Sequence, residues 1–123
     1  MAKKTYKKNE SLDMLSAVHE DQEATLPSGR SYQLTKMTHN QRRRVFAFFS
    51  KRQSEIQTGD FSFLDSEDFE PVEKVIMETV LYEGGQLSKS PAHWDDYPED
   101  YIVFTVTMLG AISYPFLKGS LGG

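Results

Sequence analysis

The sequence predicts an α+β fold, mostly α, with a short N-terminal β-hairpin followed by three main helices. Three observations carry this. Ala24 and Leu26, then Tyr32 and Leu34, alternate with polar neighbours on either side of Pro27-Ser28-Gly29, the period and punctuation of a hairpin. Apolar residues then recur at helical spacing from Val45 to Ile56 and again from Phe69 to Val80. A third segment, starting near Pro98 and running to about Tyr114, is apolar nearly all round, as a buried helix is. At 123 residues the chain reads as a flexible N-terminal arm over 1–21, a single α+β domain over 22–117 and a flexible C-terminal tail over 118–123, since domains commonly run to about 100–150 residues.

The arm is lysine-rich, and its lysines and small polar residues bury too little to offset the entropy of ordering. Leu12, Leu15 and Val18 would share one helix face, which suits a segment that orders on contact. In the hairpin, Pro27 presets a turn φ and Gly29 accepts the positive φ of a bulged or type II turn. Leu26, Tyr32 and Leu34 form its buried face. A lone hairpin is marginal in water, so it must pack on a helix or pair with another copy.

Thr38-x-x-Gln41 is a capping box that opens the first helix. Val45, Phe48, Phe49, Arg52 and Ile56 continue it, and Thr58-Gly59 stops it. Phe61, Phe63 and Leu64 staple the following connection to the core. The second helix begins near Asp68 to Pro71, where acids suit the helix dipole and proline is tolerated. Its stripe is Phe69, Val72, Val75, Ile76 and Val80, and Gly84-Gly85 is expected to end it. Residues 86–97 read as a loop holding the sole tryptophan, Trp94. In the third helix Ile102, Val103, Phe104, Val106, Met108, Leu109, Ala111 and Ile112 cover most of the circumference. Each such side chain removed from water is worth roughly 1.5–3 kcal/mol. Two helices and a hairpin are expected to cover this helix only in part, which predicts self-association or a bound client.

Composition excludes several classes of function. The chain has no cysteine, so disulfides, thiolate metal sites and thiol catalysis are absent, as fits a reducing cytoplasm. The basic start, Met1 to Glu10, is not followed by an apolar stretch, so no secretory signal is expected. Tyr101 to Leu117 is uncharged but shorter than the roughly 20 residues of a span. Thr105, Thr107, Ser113 and Pro115 dilute it further, which favours a core helix over a membrane helix.

The net charge of −4 hides a division. From Ala24 to Ser54 every charged residue is basic, while from Glu55 to Asp100 there are thirteen acids against Lys74 and Lys89. A basic half followed by an acidic half favours intramolecular closure or head-to-tail association between copies.

No constellation for catalysis, metal or cofactor is expected. Arg42, Arg43 and Arg44 form a candidate basic interaction face, but three consecutive helical residues span about 200° of arc and cannot all enter one groove. Nucleic acid is therefore disfavoured. Asp95, Asp96, Glu99 and Asp100 lack the spacing of a calcium loop and suit a helix start instead. His19, His39 and His93 show neither ligand spacing nor a companion nucleophile. The glycines of Ser28-Gly29-Arg30 and Gly84-Gly85 lack phosphate-loop spacing. The chain is expected not to be an enzyme.

The pattern Thr25-Leu-Pro-Ser-Gly-Arg-Ser-Tyr-Gln-Leu34, followed by Met37-Thr38 and a helix, resembles the start of the small tail assembly chaperones of long-tailed bacteriophages. The resemblance covers about residues 23–57 as a motif, and the rest by size, acidity and helix content. It implies a non-catalytic protein of the host cell cytoplasm that binds and solubilises the tape measure protein during tail morphogenesis. It further implies that tail-tube subunits then polymerise around that client. It also implies a longer form made by ribosomal frameshifting, and Phe116-Leu117-Lys118 can be encoded as TTT-TTA-AAG, which contains a slippery heptamer. No catalytic residue carries over. Physical reasoning places the client or self-association surface on the aromatic face Val45, Phe48 and Phe49 with an exposed side of the third helix, Phe104, Met108, Ile112 and Phe116. A homo-oligomer is expected, and no membrane. Two rival readings are a structural tail or virion subunit (tube, terminator or baseplate) and a small nucleic-acid-binding regulator using Arg42 to Arg44.

Overall fold

The computed structural model describes residues 22–120, with side chains through Lys118. The arm over 1–21, with its Leu12-Leu15-Val18 face, lies outside the described residues, as does the tail beyond Ser120. The fold is α+β and mostly helical. Strand β1 (Glu23–Thr25) turns into β2 (Ser31–Leu34), and helix α1 (His39–Gln57) follows. A 3-10 turn over Ser62–Asp65 leads to α2 (Phe69–Thr79), which runs straight into β3 (Val80–Tyr82) and β4 (Gly85–Gln86). Short turns then carry the chain through α3 (His93–Asp96) into the long α4 (Tyr101–Ser120).

The hairpin forms where its turn chemistry places it. Gly29 takes φ +97°, Gly29 N donates to Leu26 O, and Leu26 N donates to Arg30 O. Ala24, Leu26, Tyr32 and Leu34 are all buried. The capping box of α1 is present in both directions: Gln41 N donates to Thr38 Oγ1 at 3.1 Å, and Thr38 N donates to Gln41 Oε1 at 2.9 Å. Phe63 is buried and packs against Phe48 and Phe69, with ring centroids 5.4 and 5.5 Å away. This aromatic knot ties the α1–α2 connection to both helices.

The strands are not confined to the N-terminal hairpin. They form one antiparallel four-stranded sheet in the order β1-β2-β3-β4, and α2 ends at Thr79 rather than at Gly84-Gly85. Val80 fits the helical stripe, yet Val80-Leu81-Tyr82 is β-branched and aromatic and pairs with β2, Val80 opposite Leu34 and Tyr82 opposite Tyr32. The hairpin thereby gains the partner that a lone two-stranded ribbon needs. Thr79 O marks the junction, accepting from both Thr35 N and Thr35 Oγ1. Gly84-Gly85 belongs instead to the β3–β4 turn.

That turn has two central residues, Glu83 at φ +50° and Gly84 at φ +85°. Positive φ at both positions is the type I′ hairpin turn, where Asn or Asp normally precedes Gly. Glutamate at positive φ is strained, so Glu83→Asn is expected to raise stability by about 1 kcal/mol. A urea titration checks it through a higher midpoint at unchanged slope.

The helices cover one face of the sheet, and α1 packs chiefly along α4. Phe104, Met108, Leu109, Ala111 and Ile112 of α4 are all buried within the single chain. Among the described residues the exposed large apolar side chain is Val103, at 39%. Helix α4 is thus covered in part, as expected: Ile102, Val106, Phe116 and Leu117 are only partly buried and Val103 is exposed, while Trp94, 4.9 Å from Phe104 between ring centroids, adds cover from the α3 segment. Pro98–Lys118 is long and apolar enough to cross a membrane, but half of it is buried inside the fold. Helix α4 also runs past Tyr114 and Leu117 to Ser120, with Pro115 inside it.

Candidate functional site

The apolar residues proposed as an interaction surface do not form one. Val45, Phe48, Phe49, Phe104, Met108 and Ile112 are between 0% and 7% exposed and make up the core. A helical stripe records which residues share a face, and here the stripes of α1 and α4 face each other. Phe116 alone of the seven is partly exposed. It packs against Phe46, with centroids 5.1 Å apart, and against His39 at 5.9 Å, forming a small aromatic patch where α1 begins and α4 ends.

The arginine triplet is also divided, as its arc requires. Arg43 and Arg44 are exposed. Arg42 turns inward, and its Nη1 donates to the backbone oxygen of Ile112 at 3.0 Å.

The charged halves close on each other at two places. Arg52 Nη2 donates to both carboxylate oxygens of Asp68, at 2.8 and 3.1 Å, and Nη1 reaches Glu55. Asp68 is held at about 2, through the Ser66 hydroxyl and then Arg52, against a smaller opposing effect of burial. The other closure is a polar cluster that sequence reasoning missed. Arg30 and Tyr32 sit two residues apart, so both point to the same side of the hairpin. There they meet the α3–α4 corner, from which His93 and Asp100 project. Arg30 Nε donates to Asp100 Oδ2 at 2.7 Å, and Tyr32 Oη donates to the same oxygen at 2.8 Å. Arg30 also pairs with Glu99, and its guanidinium lies 4.1 Å from the centre of the Tyr97 ring.

Tyr32 Oη and His93 Nε2 are 2.8 Å apart. The phenol has one proton and gives it to Asp100, so His93 Nε2 must carry the hydrogen and donate to Tyr32. Burial lowers the His93 pKa, which keeps the imidazole neutral in that tautomer. Burial alone would raise Asp100, but hydrogen bonds from Arg30, Ser28 and Tyr32 outweigh it and hold the carboxyl below its usual range. Tyr32 is pushed up by burial and by Asp100, so the phenol stays protonated at neutral pH. Tyr82, Trp94 and Phe104 enclose the Tyr32 ring, with centroids 5.1, 6.2 and 5.0 Å away.

Chemically, this cluster is a satisfied donor–acceptor chain walled by aromatic rings. It clamps the hairpin to residues 61 to 70 positions further along the chain. Among the described residues no three His, Asp or Glu side chains converge to hold a metal ion.

The cluster predicts a two-step acid response. The His93 pKa is lower folded than unfolded, where it is about 6.5. Below that value the unfolded chain binds a proton that the native state refuses, so stability falls as pH falls. Asp100 and Asp68 are also depressed, so their contributions are complete above about pH 4 and are lost as pH falls through the folded values. The charged groups facing His93 are Asp100, Arg30, Asp96 and Glu83. His93→Gln keeps an N–H for Tyr32 and removes the titration. It is expected to flatten the fall in melting temperature between pH 7 and pH 5, as followed by circular dichroism, and to leave the fall below pH 4 intact.

Comparison with protein-family models, with curated proteins and with solved structures finds no match to this chain.

Proposed function

We propose that the chain is a non-catalytic tail assembly chaperone of a long-tailed phage, binding and solubilising the tape measure protein in the host cytoplasm while the tail-tube protein polymerises around it. The observation that carries this reading is the passage from the Thr25–Leu34 motif into the Thr38-capped helix. That motif is a tight hairpin in the fold, its strands run over Glu23–Thr25 and Ser31–Leu34, and the capping box opens α1 four residues later. The buried Tyr32–His93–Asp100 chain, closed off by aromatic rings, also fits a structural clamp better than a reaction centre.

The client surface in this reading is the partly exposed Phe46–Phe116 patch, flanked by exposed Arg43 and Arg44 and by His39. Aromatic rings and adaptable neighbours suit varied apolar client segments. The frameshifted longer form, in the same reading, continues from the end of α4 close to this patch. Self-association rests on charge, with exposed Arg43 and Arg44 complementary to exposed Glu67, Glu70 and Glu78 of another copy.

Mass spectrometry of purified mature particles tests the reading. A chaperone is absent or far below one copy per tube subunit, whereas stoichiometric presence would assign the chain to the finished tail.

A further inference from the structure

Three arginines turn inward, and two of them find carboxylates: Arg30 meets Asp100 and Glu99, and Arg52 meets Asp68 and Glu55. Arg42 has no such partner among the described residues. Its one side-chain hydrogen bond to a described residue runs from Nη1 to Ile112 O, which fixes the guanidinium, and Nε and Nη2 have no partner among the described residues. Burial lowers its pKa, as expected for a cation taken partly out of water without a counter-charge.

Arg42 lines a cavity of about 210 Å³ at the junction of β2, α1 and α4. Lys36 contributes a second cation to its wall, and partly exposed Met37 with the edge of Leu34 contributes apolar surface, while Ile112, fully buried, is reached through its backbone oxygen. Thr35 adds no donor, since its hydroxyl is spent on Thr79 O. The volume is below the roughly 300 Å³ at which pockets for larger ligands begin. A rigid guanidinium with N–H groups that no described residue accepts, a neighbouring ammonium and an apolar floor together match a carboxylate on a short hydrocarbon chain.

We propose that this cavity is an oxyanion site that takes a small aliphatic carboxylate, with Arg42 gripping the carboxylate, Lys36 adding charge at the mouth, and Met37 with the edge of Leu34 contacting the chain. This goes beyond the chaperone reading and does not depend on it.

Butyrate is the probe, titrated at constant ionic strength against chloride, with inorganic phosphate in parallel to report charge alone. The expected result is a saturable rise in melting temperature with butyrate that exceeds the rise with phosphate. Arg42→Met should abolish it. Lys36 is exposed, so Lys36→Gln leaves the fold intact and should weaken binding about two- to fivefold. A rise that persists in both variants, or no rise in any form of the protein, overturns the proposal. A larger rise with phosphate overturns the apolar half of it. Gln22 also lines the cavity, and Glu20 and Asp21 immediately precede it. A response seen only in the Glu20→Gln/Asp21→Asn variant would give the cavity to the chain's own acids and overturn an external ligand.

Discussion

Replacing Asp100 with alanine is expected to lower the unfolding free energy by about 3 kcal/mol. The Asp100 carboxylate is 2% exposed and accepts from Arg30 and Tyr32 at once. Its removal leaves the Tyr32 hydroxyl without its acceptor inside the aromatic enclosure and takes one partner from Arg30. Native domains are stable by only about 5–15 kcal/mol, so this is a large share of the total, equivalent to a fall in melting temperature of roughly 10–20 °C. Tyr32→Phe removes one of the same hydrogen bonds. The double variant Tyr32→Phe/Asp100→Ala should therefore lose less than the sum of the two single losses. Chemical denaturation of the four proteins checks this, and additive losses would mean that the two residues act separately.

Phe104→Ala is expected to cost about 4 kcal/mol, the loss of a fully buried aromatic with a cavity left behind. Phe116→Ala should cost about 1 kcal/mol, because that ring lies partly in solvent against Phe46 and His39. The contrast bears on function as well as stability. Loss of client binding in Phe104→Ala reports a damaged fold, whereas loss in a folded Phe116→Ala reports a contact. Thermal melts of both variants, made before any binding assay, separate the two cases.

What the sequence made legible was local. The hairpin turn is written in Pro27-Ser28-Gly29, and the start of α1 is written in two residues three apart, Thr38 and Gln41. Strand β3 was hidden because Val80 satisfies both a helical and a strand period, and a short apolar run does not distinguish them. Its partner strand lies far back in the sequence, at Ser31–Leu34. The polar cluster was illegible for the same reason. Arg30 and Tyr32 share a strand face, but nothing near them names His93 or Asp100 as their partners. Asp100 also had a sufficient local reason to stand where it does, at a helix start. The division of charge was legible, and two of its closures are internal, Arg30 to Asp100 and Arg52 to Asp68. The spacing of Val45, Phe48 and Phe49 predicts a shared face of α1, but these residues and Phe104, Met108 and Ile112, expected on an exposed side of α4, are core. Which face meets solvent depends on how the helices pack, and that is not encoded in the period of either one.

If this chain shields a tape measure protein, as proposed, co-expression with a tape measure fragment from the same genome will show it. The complex would be resolved by size-exclusion chromatography with light scattering. The fragment is expected to precipitate alone, to co-elute in soluble form with this protein, and to lose that solubility with folded Phe116→Ala. A fragment that stays insoluble while this protein assembles by itself into rings or tubes would contradict the proposal and make the chain a structural tail subunit.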